Sequence, residues 1–140
     1  MITKILFCAA LVLSSSANAQ IGTRFPSERK VVKDPVTGTV LTFLTSKPHG
    51  DSKIYPTHPQ WTSDGQWLVF RSARVKGEAM AVNEATGDLV QVTEGGYVGM
   101  LNLARKSMKL YFMRKDGDAK RLQIVEVDLG ALLADSTAGK

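Results

Sequence analysis

Sulfur and imidazole are scarce in this chain. Of 140 residues, one is cysteine (Cys8) and two are histidine (His49 and His58). A single cysteine excludes a disulfide framework and every cysteine-based metal spacing. Two histidines fall short of the about three protein ligands that a catalytic metal site takes. The longest apolar run, residues 5–13, is shorter than the roughly 20 residues a membrane-crossing helix needs. Glycine-rich phosphate loops and nucleophile elbows are also missing, so nothing points to phosphate, acyl-transfer or redox chemistry. What is present is ordinary: 44% hydrophobic and 22% charged residues, with a net charge of +5. That balance excludes a disordered, collagen-like or coiled-coil chain, and the length suits one domain.

The first nineteen residues are set apart from the fold. Lys4 precedes the apolar run, and Ala17-Asn18-Ala19 forms a small-x-small site with Gln20 as the new N-terminus. This is the layout of a secretory signal peptide cleaved near Ala19. Cys8 follows Ile5-Leu6-Phe7, which lacks the small residues of a lipoprotein site. Export without cysteine suits the bacterial periplasm. A periplasmic or secreted chain with no stable membrane insertion after cleavage is expected, and nucleic acid is not an expected partner.

The remainder reads as strands and turns. Asp34-Pro35-Val36-Thr37-Gly38 is turn chemistry between β-branched segments, which predicts a hairpin over residues 31–45. Asp64-Gly65 between residues 55–61 and the apolar run 67–70 predicts another, with His58 on its first arm. Residues 80–82 and 89–93 read as strands separated by a turn at 84–88. The pattern then recurs. Leu110-Tyr111-Phe112 matches Leu68-Val69-Phe70 at an offset of 42, and Val127-Asp128 matches Val82-Asn83 at 45. A period of this length with four short strands marks a β-propeller blade, although evenly spaced turns also suit a meander or sandwich. The shared order of hairpin, apolar strand, short strand, turn and strand favours the propeller.

The expected fold is all-β: an incomplete β-propeller of about two four-stranded blades plus an N-terminal closing strand. Residues 20–55 form the N-terminal segment with that ring-closing strand, 56–96 the first blade, and 97–140 an incomplete second blade and tail. In the tail, residues 131–134 could form a helical turn and 135–140 fray. Because propellers close with roughly 4–8 blades, the chain is expected to be the N-terminal piece of a longer protein. Its uncovered blade edges make self-association an expectation.

Pro59-x-Trp61-Thr62-Ser63-Asp64-Gly65-x-x-Leu68-Val69-Phe70 resembles the TolB-type propeller repeat, and Ala85-Thr86-Gly87 with Val92-Thr93 resembles its end. A narrower resemblance runs from Phe25 to about Thr93. Asp34-Pro35-x-Thr37-Gly38, Leu44-Thr45 and Tyr55-x-Thr57-x-Pro59 look like the start of oligogalacturonate lyases. That resemblance implies a seven-bladed parent that cleaves short pectin-derived galacturonides by β-elimination with a divalent metal, usually manganese. It implies that residues 40–45 complete the last blade. It places the family's metal-binding histidines and base in later blades, so no catalytic or metal residue is assigned here and this chain alone is expected to be inactive. The alternative is a non-catalytic TolB-like propeller that binds a protein or envelope ligand.

Four residues are candidates for substrate binding. Lys53 stands where the family shows histidine, and an ammonium there could meet a uronate carboxylate as a point charge. His58 is expected on the innermost strand, where it could face the pocket. Arg71 and Arg74 could grip carboxylates with paired hydrogen bonds. Trp61, Trp67, Phe70, Tyr111 and Phe112 are expected in the inter-blade core rather than as a sugar-stacking set.

Overall fold

The computed structural model describes residues 20–117 and 120–140, so the expected signal peptide lies outside the described residues. Ten strands and one helix follow in order: β1 (Arg24–Phe25), β2 (Lys30–Lys33), β3 (Val40–Phe43), β4 (Ser52–Lys53), β5 (Trp67–Arg71), β6 (Ala79–Asn83), β7 (Leu89–Gln91), β8 (Val98–Leu103), β9 (Lys109–Lys115), β10 (Leu122–Asp128) and α1 (Leu129–Ala138). They form a five-stranded sheet in the order β1-β7-β6-β5-β4, a three-stranded sheet β10-β9-β8 and a two-stranded sheet β2-β3. Every pairing is antiparallel. The all-β, partial-propeller expectation therefore holds.

Side chains alternate across a strand, and here both faces are apolar. From β5 and β6, Trp67, Val69, Ala79 and Ala81 point into a core shared with Leu101, Leu103, Leu110 and Phe112 of the three-stranded sheet. Phe70, Met80 and Val82 point the other way, with Leu89, and are covered by Phe25 and Leu44 of the N-terminal segment. The five-stranded sheet is thus sandwiched as a propeller blade is, with the second sheet on one side and the N-terminal segment on the other. The sequence repeat fits this stacking. Leu68 and Phe70 face the segment before their sheet, and their repeat partners Leu110 and Phe112 face the sheet before theirs.

The turns form where the sequence places them. Asp34 Oδ1 accepts from the backbone of Val36 and Thr37 and closes the β2–β3 hairpin. Asp64 Oδ1 accepts from Thr62 Oγ1 at 2.5 Å and from Gln66 N at 3.0 Å. Asn83 Oδ1 accepts from Ala85 N and Thr86 N.

Three expectations need correction. The arm before Asp64-Gly65 is no strand: it is reduced to a Trp61–Leu68 bridge and a Val69 N to Gln60 O bond of 2.8 Å. The inner edge of the sheet belongs to β4, paired with Phe70 and Arg71. His58 accordingly sits in the bend after Tyr55, where Pro56 and Pro59 remove the N–H donors a ladder would need. Trp61 is exposed, and Tyr111 lies half-buried on the outer face of the second sheet, so only Trp67, Phe70 and Phe112 join the core. The tail is a ten-residue helix, not a frayed end. Asp128 caps it through Ala131 N at 3.0 Å, and Gly139 closes it in the left-handed region. Leu129 and Leu133 bury against both sheets, and Ser136 Oγ donates to Gly22 O at 2.8 Å.

Gly87 fixes how closely the N-terminal segment approaches. Its φ is +77°, and a Cβ there would collide with Ser27 Oγ and Arg29 Cβ. Gly65 has a similar φ of +71° but open space around it. Gly65→Ala should cost about 1 kcal/mol from backbone strain alone, and Gly87→Ala clearly more, about 3 kcal/mol. Urea melts of the two variants compare them directly.

Candidate functional site

The four candidate residues do not form one constellation. Arg74 is turned inward. Its Nε donates to Glu28 Oε1 at 3.1 Å, its Nη2 to Glu28 Oε2 at 2.6 Å, and its Nη1 to Ser72 Oγ at 2.7 Å and to Asp51 Oδ1. The Arg74 and Glu28 side chains are 2% and 3% exposed, which makes this a buried cluster. The guanidinium also lies over the Phe70 ring, 5.7 Å from its centroid. The carboxylates that Arg74 grips are thus the protein's own.

Burial alone would raise the Glu28 pKa. The Arg74 hydrogen bond, the Ser46 and Lys47 backbone N–H groups and the Arg74 charge outweigh it and hold the carboxyl at about 2. Asp51 is lowered in the same way: burial opposes, and Arg74, Ser72 and Thr45 prevail. Arg74 is raised, its two carboxylates overcoming burial. The cluster joins loop 44–51, the segment before β2 and the loop after β5. No short-range motif announces it, since Arg74 lies 46 residues from Glu28 and 23 from Asp51.

Arg71 is placed differently. It ends β5, opposite Ser52 of β4, and reaches across to the second sheet. Its Nη2 donates to Gly99 O at 3.3 Å and lies 3.9 Å from Met100 Sδ. Its guanidinium stands 6.0 Å from the centroid of Tyr97. Burial raises the Tyr97 pKa, against the Arg71 charge. Arg71 Nε is buried with no hydrogen-bond partner, and among the described residues no carboxylate pairs with this guanidinium.

Lys53 is exposed on β4, beside a cleft of about 310 Å³ between β3 and the five-stranded sheet. Phe43, Leu44, Leu68, Phe70 and Val82 line its apolar side, and among the described residues Lys53 is its only cationic lining residue. His58 packs beside Tyr55, ring centroids 5.0 Å apart, with Nδ1 buried and unpartnered.

The chain therefore falls in a class of stacked, blade-like antiparallel sheets, with the edge strands β4 and β8 bridged by Arg71. No family model and no curated protein sequence matches it. Solved structures do. An oligogalacturonate lyase in complex with manganese matches with a TM-score of 0.63 and 25% identity, over 81% of this chain and 30% of that one. The oligogalacturonate lyase of Vibrio parahaemolyticus matches with a TM-score of 0.65 and 21% identity, over the same shares. In structure this chain is similar to a segment of the oligogalacturonate lyase fold and spans about 30% of the length of those lyases.

The described residues do not fit a manganese site. No three of His, Cys, Asp and Glu come together among them, and the carboxylates that do meet, Glu28 and Asp51, are held by Arg74.

The ion cluster yields an acid-stability prediction. The folded Glu28 pKa of about 2 lies below its ordinary 4.5. Its stabilisation is therefore complete above about pH 4.5 and lost as pH falls through about 2. Melts of Glu28→Gln and the parent chain should differ at neutral pH and converge toward pH 2. Arg74→Ala strands two carboxylates and should cost about 3–5 kcal/mol at neutral pH.

Proposed function

We propose that this chain carries part of the uronate-recognising rim of a propeller acting on oligogalacturonides, with Arg71 gripping a substrate carboxylate. The observation that carries this reading is the Arg71 guanidinium, set between the edge strands β4 and β8 and claimed by no carboxylate among the described residues. Arg can hold a planar carboxylate with two parallel hydrogen bonds. Lys53 adds a second cation on β4, a more hydrated point charge with weaker geometric demand. The names of the structural neighbours supply the substrate class.

The elimination itself belongs, in this reading, to a longer relative. Removing the proton beside the carboxylate needs a base about 3 Å away and an electrophile to hold the developing charge. Arg71 and Lys53, as hydrogen-bond donors, can bind and orient a uronate, and the base is assigned to neither. Residues 1–19, with their Lys4, apolar run and Ala17-Asn18-Ala19, support export to the periplasm as its setting.

Titration of the chain with trigalacturonate, followed by calorimetry or NMR, tests the reading. Arg71→Ala should weaken binding about tenfold or more, the scale of a lost charge-assisted pair. Lys53→Ala should weaken it less, and binding by that variant should depend less steeply on salt. Affinity unchanged in Arg71→Ala would end the proposal. No unsaturated product should appear by ultraviolet absorbance, with or without manganese.

A further inference from the structure

We propose that Tyr97 is a positioning residue for Arg71. With the bulge in β8 it seats the guanidinium so that the Nη1 end, and not the Nε edge, meets a carboxylate. This rests on the reading of Arg71 as the group that grips a uronate. Arg71 ends β5, and Tyr97 stands just before β8 in the next sheet. Among the described residues, the contacts that Arg71 makes with that sheet come from the stretch 97–100. The guanidinium carbon lies over the Tyr97 ring, 6.0 Å from its centroid. An aromatic face attracts a cation at about this range, and the flat guanidinium stacks there as an ammonium does not. Gly99 O accepts from Nη2 at 3.3 Å, and Met100 Sδ lies 3.9 Å from the same nitrogen.

The break in β8 supplies these contacts. Val98 pairs with Met113 and Asn102 with Tyr111, so residues 99–101 stand opposite Phe112 alone. Gly99 has a φ of +76° within that bulge. A bulge re-aims the groups it carries, and here the Gly99 carbonyl goes to Arg71. The seat decides which donors stay open. Nε is buried without a partner, so its edge is closed to a ligand. Nη2 carries two protons and gives one to Gly99 O. Nη1 makes no hydrogen bond among the described residues and is not buried as Nε is. A planar carboxylate is therefore met end-on, by Nη1 and the second Nη2 proton. Tyr97 is itself half-buried and packs on the core between the two sheets. A fixed ring thus restrains a side chain rich in rotamers before the ligand arrives, which removes part of the ordering cost of binding.

Two readouts test the seat and the reading beneath it separately. The first needs no sugar. The Arg71 Nε proton, identified in NMR spectra by its loss in Arg71→Ala, should exchange slowly with water in the parent chain. It should exchange about tenfold or more faster in Tyr97→Leu and close to the parent rate in Tyr97→Phe. The second is affinity for trigalacturonate. Tyr97→Leu should weaken it about threefold or more, Tyr97→Phe should leave it near the parent value, and Tyr97→Leu should change nothing further in an Arg71→Ala background. Leucine keeps apolar volume against the core, and circular dichroism verifies the fold. Gly99→Ala, at an exposed position, strains the same seat from its other side and should also speed Nε exchange. An Nε proton that keeps the parent rate in Tyr97→Leu and Gly99→Ala would overturn the proposal. So would an equal loss of affinity from Tyr97→Leu with and without Arg71. If Arg71→Ala itself leaves affinity unchanged, the carboxylate part of the proposal falls with the uronate reading, while the Nε exchange rates still judge the seat.

Discussion

Burial of the five-stranded sheet on both faces is the constraint on which the rest of the molecule depends. β5 and β6 place apolar side chains on each side in strict alternation, so neither face can be left to water. One face takes the second sheet and α1. The other takes Phe25 and Leu44 from the N-terminal segment, which lies where a preceding blade would stack. The segment is secured by polar contacts at separate points: Arg24 to Asp88, Arg29 to Glu84 O, and Glu28 to Arg74. The last of these also reaches Asp51, so one buried guanidinium ties the covering segment to two loops of the sheet it covers.

This division of labour separates two arginines that look equivalent three residues apart. Arg74 satisfies its charge internally and keeps the N-terminal cover in place. Arg71 spans from β5 to β8 through one long carbonyl bond and an aromatic ring, and keeps donor capacity in reserve. An anion-recognising role is therefore more natural for Arg71, and a loss of Arg74 acts through the fold.

Much of the architecture was legible because turns and alternation are local. Asp34-to-Gly38 and Asp64-Gly65 each fix a reversal, and the offset between Leu68 and Leu110 exposes the repeat. The errors have physical causes. β1 is two residues long and is set by its pairing with β7, 64 or more residues away, which leaves no local pattern to read. α1 has weak helix formers in Gly130, Ser136 and Thr137, and packing of Leu129 and Leu133 decides the matter. Its signals were present nonetheless, in Asp128 as N-cap and Gly139 as C-cap. Asp64-Gly65 implies two arms and so a strand at His58, whereas two prolines leave only residues 60–62 to pair. The Glu28–Arg74–Asp51 cluster joins residues far apart in sequence, and one sequence carries no signal for such a contact.

Native-state amide hydrogen exchange tests the central claim most directly, because it reads each strand separately. If the N-terminal segment is the second cover of the five-stranded sheet, the Ser46 and Lys47 amides, which Glu28 holds, and the β6 amides exchange slowly in the parent chain. In Arg74→Ala, protection of Ser46 and Lys47 should fall while that of β9 stays. Fast exchange of Ser46 and Lys47 in the parent chain, beside a protected β6, would show that the sheet holds without its cover and would contradict the account.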